Sequence, residues 1–269
     1  ARNSYSSEFD SIGTTSAESK PESSVAYGNQ KLFKPKEAYS CERDRCAILL
    51  IGITGGGKSS TANTLCGAQR AFKHSATVTS VTSSASARDY SFGNNKYRVV
   101  DTPGLADTNR SQDDCLEEIR AAARHAPHGF ACVFVVVPRM RLTAEQAYAV
   151  QMAMEMLGSD VLPFTVMVVT HCTDPREKLL DEINGLPRSH GLRKLARMLD
   201  DRVIPVENVK QPATQTSRHL MHKAIVEICE MNKDERLVLN SAGKIRDTSL
   251  DEVSWRMRFK TCTSTWNDE

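Results

Sequence analysis

The stretch Ala47-Ile48-Leu49-Leu50-Ile51-Gly52-Ile53-Thr54-Gly55-Gly56-Gly57-Lys58-Ser59-Ser60 decides the fold of this chain. Its first five residues are all apolar, and a run without polar alternation predicts a strand that is buried on both faces. A glycine-rich turn follows, and the small and apolar residues from Ser59 to Leu65 predict the first turns of a helix. A strand, a glycine turn and a helix start form the context in which a G-x-x-x-x-G-K-[ST] sequence binds phosphate.

The glycine turn is predicted to bind the phosphates of a nucleotide. Its glycines let the backbone curl until successive N–H groups point at one phosphate, and the helix N-terminus adds partial positive charge there. Lys58 is expected to reach the β- and γ-phosphate oxygens as a catalytic residue, and the Ser59 hydroxyl is expected to ligate Mg²⁺. The predicted nucleotide-binding residues of this loop are Gly52, Thr54, Gly55, Gly56, Gly57, Lys58, Ser59 and Ser60. The alternative is a glycine-rich turn without a ligand.

A second motif, Asp101-Thr102-Pro103-Gly104, directly follows the strand that is predicted over 97–100. An aspartate at the C-terminal end of a strand beside a phosphate loop can hold Mg²⁺, usually through water, so Asp101 is a predicted metal ligand. The backbone N–H of Gly104 is expected to approach the γ-phosphate, which makes Gly104 a predicted catalytic residue. Alone, this motif is only a turn after a strand. Downstream of Lys58 in an alternating β/α chain, it indicates the metal side of a GTPase site.

Apolar runs and helical patterns alternate along the rest of the chain. Strands are predicted over 86–92, 97–100, 131–137, 164–169 and 202–206, and helices over 113–125, 143–157, 192–199 and 216–239. Most strands are apolar throughout, which predicts an α/β fold with a mainly parallel open sheet, right-handed crossovers and helices on both faces. Thr143 is expected to cap one helix and Gly158 to end it, and Pro205 favours an edge position for the last strand. Ligands bind such sheets at the carboxyl ends of the strands, where both motifs fall.

Two further loops at strand ends are candidates for recognition of the base. An acidic side chain can accept hydrogen bonds from the N1–H and N2–H₂ groups of guanine, which adenine does not offer. Asp174 follows one strand, and Glu207, in the pair Glu207-Asn208, follows another. Asp174 also precedes Pro175, so it is alternatively a helix N-cap. His171 is either a residue that stacks on the base or an ordinary loop histidine.

Several segments together resemble the GTPases of immunity-associated proteins, which form the AIG-type or GIMAP family. The resemblance covers about residues 45–240 and is carried by Gly52–Ser60, Asp101–Leu105, Ala126–Phe130, Val133–Val137, Arg141–Glu145 and Thr170–Asp174. It implies a Ras-like P-loop GTPase fold that binds GTP, GDP and Mg²⁺, with a C-terminal helical extension. It also implies a homodimer or oligomer across the nucleotide face and a role in immune or stress responses. Some members of the family associate peripherally with organelle membranes, which the composition of this chain does not require.

The resemblance also assigns residues that spacing alone leaves open. Thr82 matches the threonine that ligates Mg²⁺ in the triphosphate state, with Thr79 as the fallback. Thr82 is therefore expected to be both a metal ligand and a catalytic residue. The pair Glu207-Asn208 resembles the base-recognition dipeptide of the related chloroplast import-receptor GTPases, which adds Asn208 to the candidates for nucleotide binding.

Departures from other GTPases predict a less secure base specificity and weak turnover. The guanine motif is not N-K-x-D, and Leu105 stands where Ras carries a catalytic glutamine. We expect slow hydrolysis, with a partner or a second protomer supplying an Arg or a His. One rival function is an ATPase or nucleotide kinase, against which the D-T-P-G motif and the acids after the last strands argue. The other rival is a nucleotide-bound scaffold without significant turnover.

The composition indicates an ordinary globular protein. The 269 residues carry a net charge of +2, with 25% charged and 40% hydrophobic residues, so no nucleic-acid partner is predicted. No apolar run approaches the roughly 20 residues that span a bilayer. The polar N-terminus does not have the pattern of a secretory signal. The eight cysteines are scattered and form neither a disulfide framework nor a zinc motif, which predicts a cytoplasmic location.

Three segments are predicted along the chain. Residues 1–40 are expected to be a disordered or loosely attached tail, 45–210 the GTP-binding domain and 211–269 a C-terminal helical extension. In the helix predicted over 216–239, the residues expected to pack on the sheet are Leu220, Ala224, Ile225, Ile228 and Met231. The aromatic and basic residues after 240 predict either a helix that folds back over the switch region or a segment that lies on anionic lipid.

Overall fold

The structure, a computed structural model, describes residues 45–68, 71–72, 84–104, 111–139 and 142–239. Within these ranges the strands are β1 (Cys46–Gly52), β2 (Ser86–Phe92), β3 (Asn95–Asp101), β4 (Cys132–Pro138), β5 (Thr165–Thr170) and β6 (Val203–Val206). The helices are α1 (Lys58–Cys66), α2 (Gln112–His125), α3 (Ala144–Leu157), α4 (Arg176–Gly185), α5 (Gly191–Met198) and α6 (Ala213–Met231), and a 3₁₀ helix, Ser159–Phe164, leads into β5. The predicted tail over 1–40, the segment from 240 onwards, Thr79, Thr82, Leu105 and Arg141 lie outside the described residues.

The strands form one sheet in the order β2-β3-β1-β4-β5-β6. β2 runs antiparallel to β3, and every other neighbouring pair is parallel. This arrangement confirms the predicted mainly parallel open sheet, and β6, which contains Pro205, lies at an edge as expected. β1 lies between β3 and β4, where the strand order reverses, so a crevice is expected at its carboxyl end.

Two apolar cores cover the faces of the sheet, and the central strand contributes to both. Leu49 and Ile51 belong to the core that is shared with α2, α3, α4 and α5. Ile48 and Leu50 belong to the opposite core, which α1 and α6 cover. All four side chains are fully buried, and burying each one contributes about 1.5–3 kcal/mol. Because successive strand residues point to opposite faces, a strand between two layers of helices needs apolar residues at every position.

The ends of α3 lie where they are predicted. The Thr143 hydroxyl oxygen accepts a hydrogen bond from the Gln146 N–H, and the Gln146 side chain accepts one from the Thr143 N–H. This reciprocal capping satisfies two backbone donors that the first turn leaves without helical partners. Gly158 directly follows the last helical residue, which confirms the predicted end.

α6 begins and ends earlier than predicted. It covers Ala213–Met231 instead of 216–239. Beyond its end, Lys233 and Asp234 adopt left-handed φ angles of 53° and 62°, which a continuing helix does not allow. The chain then turns back, and Leu237 pairs with Phe130 in an isolated antiparallel bridge. Leu237 is buried at this bridge and not on a helix face, so this apolar residue does not extend the helix.

The apolar face of α6 is confirmed in part. Ala224, Ile225 and Ile228 are buried in the core on the α1 side of the sheet. Leu220 is only half-buried, and Met231 is 49% exposed, so the predicted packing of Met231 is wrong. None of the described helices is long and apolar enough to cross a bilayer. The cytoplasmic location stays a prediction.

Candidate functional site

The turn between β1 and α1 begins at the centre of the sheet, where it passes close to the backbone of β4. Gly52 has a φ of 145°, and a Cβ atom at this position would lie 2.2 Å from the carbonyl oxygen of Val136. Only glycine therefore lets the strand pass β4 and enter the loop. The loop curls at once, since the Gly56 N–H donates to the Ile53 carbonyl oxygen over 3.2 Å. Thr54, Gly55 and Gly57 complete the turn, and Ser59 and Ser60 lie in the first turn of α1.

A side chain from the end of β5 holds this phosphate loop in place. The Thr170 hydroxyl donates to the Gly56 carbonyl oxygen over 2.9 Å and lies 3.3 Å from the Val137 carbonyl oxygen. Thr170 is fully buried, so these hydrogen bonds are shielded from water. This role could not be predicted from the sequence, because 114 positions separate Thr170 from Gly56 and no local pattern marks the contact.

Lys58 is held beneath the loop with its ammonium group close to the backbone. The side chain is 7% exposed, and Nζ donates to the carbonyl oxygens of Ile53 at 2.8 Å and Gly52 at 3.2 Å. The N-cap residue of α1, Gly57, makes no side-chain cap, and the first turn of α1 contains no acidic residue. The positive end of the helix dipole and a lysine charge therefore meet at one loop, which is the arrangement that attracts phosphate.

Ser59 and Asp101, two of the three predicted metal ligands, meet at the end of β3. The Ser59 hydroxyl donates to Asp101 Oδ2 over 2.6 Å. Asp101 is 1% exposed, and its second oxygen, Oδ1, is buried without a hydrogen-bond partner. Burial raises the pKa of the Asp101 carboxyl, although the Ser59 hydrogen bond and the charge of Lys58 both lower it. A buried carboxylate oxygen without a partner beside a hydroxyl is a donor set that suits Mg²⁺.

The D-T-P-G turn lies directly against the phosphate loop. The Thr102 hydroxyl donates to the Leu50 carbonyl oxygen over 2.7 Å, which ties the turn to β1. A Cβ atom on Gly104 would lie 2.1 Å from the Thr54 hydroxyl oxygen and 2.9 Å from the Thr54 nitrogen, so only glycine fits here. The structure thus brings Asp101 and Gly104 to the loop that contains Lys58. Thr82, the third predicted ligand or catalytic residue, lies outside the described residues.

Asp174 takes part in an ion-pair network and does not cap α4. The N-cap residue is Pro175, which has no side-chain cap, so the alternative role of Asp174 as N-cap is wrong. The Asp174 carboxylate accepts from Lys178 Nζ at 2.8 Å and pairs with Arg139 at 2.6 Å. The hydrogen bonds from Lys178 and Arg139 lower the pKa of Asp174. Arg139 also pairs with Glu182 of α4, a contact between distant segments that no local pattern marks.

His171 follows β5 and is exposed. Its φ of 58° lies in the left-handed region, which is uncommon for residues other than glycine and is found often at functional sites. The conformation places a solvent-accessible imidazole at the carboxyl edge of the sheet, between the end of β5 and the Asp174 ion pairs. Stacking of His171 on a base stays a prediction.

Glu207 and Asn208 directly follow β6, and both side chains make hydrogen bonds in this loop or from it. Glu207 is 5% exposed, and its Oε1 accepts from the backbone N–H groups of Val209 at 2.8 Å and Lys210 at 3.3 Å. The Asn208 amide donates to the Thr61 hydroxyl oxygen at 3.1 Å and accepts from the Thr64 hydroxyl at 2.8 Å. Both threonines belong to α1, so the Asn208 side chain fixes this loop next to the helix that begins at the phosphate loop.

Comparison with known sequences identifies relatives along most of the chain. The AIG1 family profile matches residues 46–253. Immune-associated nucleotide-binding protein 3 of Arabidopsis thaliana is 28% identical over 228 residues, which cover 82% of this chain and 66% of that protein. Immune-associated nucleotide-binding protein 7 of the same plant is 29% identical over 168 residues, which cover 60% of this chain and 53% of that protein. The chain thus spans between about half and two thirds of these relatives.

Comparison with solved structures finds the same fold in the chloroplast protein Toc33 of Arabidopsis thaliana. Its complex with GDP and Mg²⁺ has a TM-score of 0.52 and 19% identity, over 71% of this chain and 86% of that one. A structure concerning dimerization of atToc33 and psToc159 has a TM-score of 0.54 and 21% identity, over 69% of this chain and 83% of that one. At this identity the likeness shows a P-loop GTPase fold alone. Because the family profile extends over most of the chain and includes all of the strands described above, the chain belongs to the AIG1 family.

Proposed function

We propose that this protein is a guanine-nucleotide-binding switch that uses Mg²⁺ and hydrolyses GTP slowly. The observation that supports it most is the meeting of Lys58, Ser59 and Asp101 at one loop, with Asp101 Oδ1 buried and without a hydrogen-bond partner. Leaving such an oxygen unpaired costs about 1–3 kcal/mol, more for a charged group, which a bound cation would offset. The names of the relatives, immune-associated nucleotide-binding proteins and a GTPase of the IMAP family, agree with this proposal.

The residues of the chain divide the binding of the nucleotide between them. Backbone N–H groups of the phosphate loop and Lys58 would hold the β- and γ-phosphates, and Ser59 and Asp101 would hold Mg²⁺ directly or through water. Mg²⁺, when bound, neutralises charge that develops on the phosphate oxygens. Gly104 contacts Thr54 of the loop, so its backbone N–H is well placed to approach the γ-phosphate. Thr170 keeps the loop in its curled form through its bond to Gly56.

Glu207 is the acid that we assign to recognition of guanine. The carboxylate of Asp174 is engaged by Arg139 and Lys178, so binding a base there would require these ion pairs to open. Glu207 is buried, and the N–H groups of Val209 and Lys210 orient it through one of its two oxygens. Asn208 holds the same loop against α1, the helix that directly follows the phosphate loop.

Glu207→Gln tests this assignment. Glutamine keeps a carbonyl oxygen for the Val209 and Lys210 N–H groups but presents an NH₂ group to the N–H donors of guanine. We expect GTP affinity to fall by about ten- to a hundredfold, about 1.5–3 kcal/mol, with ATP affinity unchanged. Calorimetric titration with GTP, GDP and ATP measures this ratio. Asp174→Asn is the matched control: a GTP/ATP ratio that falls there and not in Glu207→Gln would assign the base to Asp174, and tight ATP binding by the natural chain would contradict guanine specificity altogether.

We further propose that turnover depends on association of two protomers across the nucleotide face. Dimerization is important for the GTPase activity of atToc33 and psToc159, and the solved structure that concerns it has the same fold as this chain. We expect hydrolysis per protomer to rise with protein concentration, in step with a dimer that light scattering detects with a non-hydrolysable GTP analogue but not with GDP. A rate per protomer that does not change with concentration would contradict the role of the dimer. A rate of zero at every concentration would favour a nucleotide-bound scaffold.

A further inference from the structure

Two cysteines lie side by side at the end of β1 that is opposite to the phosphate loop. Cys46 is the first residue of β1, and Cys229 lies in the last turn of α6. Their sulfur atoms are 3.8 Å apart, and both side chains are half-buried. β1 has seven residues, so about 20 Å separates Cys46 from the start of the loop at Gly52. The nucleotide site uses neither thiol.

The two thiols differ because of a nearby guanidinium group. Arg236, in the segment that follows α6, has Nη1 3.9 Å from the Cys229 sulfur. The hydrogen bond from Cys46 and the positive charge of Arg236 lower the pKa of Cys229, against the effects of burial and of Asp234. The hydrogen bond to Cys229 and burial raise the pKa of Cys46. Cys229 therefore carries the negative charge more readily, while Cys46 keeps its proton.

We propose that Cys229 is a site of oxidation by hydroperoxides and that Cys46 is its resolving partner, so that the two form a reversible disulfide. The sulfur atoms need to approach from 3.8 Å to about 2.05 Å, a movement of less than a bond length for each atom. Cys229 lies two residues before the end of α6 and outside the sheet, so such an adjustment of its side chain requires little change in the sheet.

The chemistry balances with a hydroperoxide as the oxidant. The Cys229 thiolate attacks the terminal peroxide oxygen, the O–O bond breaks, and the leaving oxygen takes a proton to give water or an alcohol, which leaves Cys229 as a sulfenic acid. The Cys46 sulfur then attacks the Cys229 sulfur and displaces hydroxide, which takes the Cys46 proton and leaves as water. Two thiols lose two electrons, and the hydroperoxide gains them. A small thiol reductant reverses the reaction by thiol–disulfide exchange.

Oxidation would replace the interaction between Arg236 and the Cys229 thiolate with a disulfide between Cys229 and Cys46. The new bond would tie the end of the helix covalently to the beginning of the central strand. Because a disulfide sulfur has no negative charge, Arg236 would lose its charged partner at Cys229. The segment after α6 would keep its backbone bridge between Leu237 and Phe130. The thiol pair thus couples redox state to the segment that follows α6.

Other cysteines in the described part of the chain lack this combination of features. Burial raises the pKa of Cys66 to about 11, and Cys115, Cys132 and Cys172 are buried. No group of three or more His, Cys, Asp or Glu side chains in that same part has the arrangement of a metal site. Cys66 is half-buried like the pair, so Cys66→Ser is the matched control.

Peptide mapping of the full chain tests the proposal. The protein is treated with hydrogen peroxide, its remaining thiols are alkylated, and its peptides are analysed by mass spectrometry without reduction. We expect a peptide that links Cys46 to Cys229, which dithiothreitol removes and which Cys66→Ser does not affect. In Cys46→Ser, Cys229 should instead proceed to sulfinic acid. Full alkylation of both cysteines in the natural chain after peroxide, or links that join either one to a different cysteine, would overturn the proposal.

The role of Arg236 has a separate kinetic test. In Arg236→Gln the loss of positive charge raises the pKa of Cys229, so the crosslink should form severalfold more slowly at neutral pH, and the pH at which the rate is half-maximal should move upward. Arg236→Lys keeps the charge and should restore most of the rate. An unchanged rate and pH profile in Arg236→Gln would overturn the part assigned to Arg236. Nucleotide affinity is measured in parallel and should not depend on the crosslink, so this inference and the proposed function can fail independently.

Discussion

Replacing Lys58 with alanine is expected to abolish detectable binding of GTP and GDP, with a loss of affinity of about a hundredfold or more. The Nζ group lies within the loop at 2.8 and 3.2 Å from two carbonyl oxygens and is the charge that would move onto the phosphates. Hydrogen bonds to a charged group contribute about 1.5–3 kcal/mol each, so losing two of them costs about 3 kcal/mol or more. Calorimetric titration with GDP and Mg²⁺ measures the loss.

Two controls separate this effect from damage to the fold. The Ile53 carbonyl oxygen keeps its hydrogen bond from Gly56 in Lys58→Ala, so the loop and the melting temperature of the free protein should change little. Lys96→Ala removes an exposed lysine at the beginning of β3 and should leave the affinity unchanged. GDP affinity that stays within a few-fold of the natural chain in Lys58→Ala would contradict the assignment of the phosphate site.

Asp101→Asn is expected to make nucleotide binding independent of Mg²⁺ while it stabilises the free protein. The carboxylate is one of two groups at the site that favour a hard cation, so its loss should lower affinity in Mg²⁺ by about tenfold or more, about 1.4 kcal/mol. In EDTA the affinities of the variant and the natural chain should be equal. An affinity in Mg²⁺ that equals that of the natural chain would remove Asp101 from the metal site.

The stabilisation follows from the direction of the pKa change. Burial raises the pKa of Asp101, so the folded protein holds this proton more tightly than the unfolded chain does. The free energy of unfolding therefore falls as the pH rises from the usual carboxyl range through the raised pKa, and it stays lower at neutral pH. Asparagine has no charge to bury and keeps an oxygen that can accept from Ser59. Thermal unfolding at neutral pH should show a melting temperature a few degrees higher.

Asp89→Asn is a control in which the expected change in melting temperature has the opposite sign. Asp89 lies on β2, is exposed, and has its pKa lowered mainly by its hydrogen bond to Arg98. Its contribution to stability is present above the usual carboxyl range and is lost as the pH falls through the lowered pKa. At neutral pH, Asp89→Asn should therefore lower the melting temperature slightly and leave the effect of Mg²⁺ on affinity intact. A rise in melting temperature in both variants would mean that the burial of Asp101 is not the cause.

Most of the sheet was predictable because its information is local. An apolar run such as Ala47–Ile51 is expected to be buried, and its short length and the glycine turn that follows it favour a strand over a helix. Caps are local as well, since Thr143 and Gln146 need only each other. The end of α6 was not predictable in this way. Leu237 is buried next to Phe130, to which it is bridged, and Phe130 lies more than a hundred positions earlier in the chain, so no local spacing marks where the helix stops.

The candidate site also has one part that local sequence predicts and another part that depends on distant residues. The prediction that Gly52–Ser60 binds phosphate needs only the local sequence, because one contiguous turn would supply the amides, the lysine and the hydroxyl. The contacts of the residues predicted to recognise the base could not all be assigned, since some of their partners are distant in sequence. Asp174 is neutralised by Arg139 from the end of β4, and Asn208 is held by hydroxyls of α1.

Contiguous residues thus specify which backbone can curl around a phosphate and which strands must be buried, because backbone conformation and side-chain periodicity are properties of neighbours in the chain. The partners of charged and reactive groups follow from packing. Thr170 against the phosphate loop, Arg139 against Asp174, and Cys46 against Cys229 are brought together only when the sheet assembles. Hydrogen bonds, ion pairs and thiol reactivity act over a few ångströms in space, and distance along the sequence does not determine which groups come within that range.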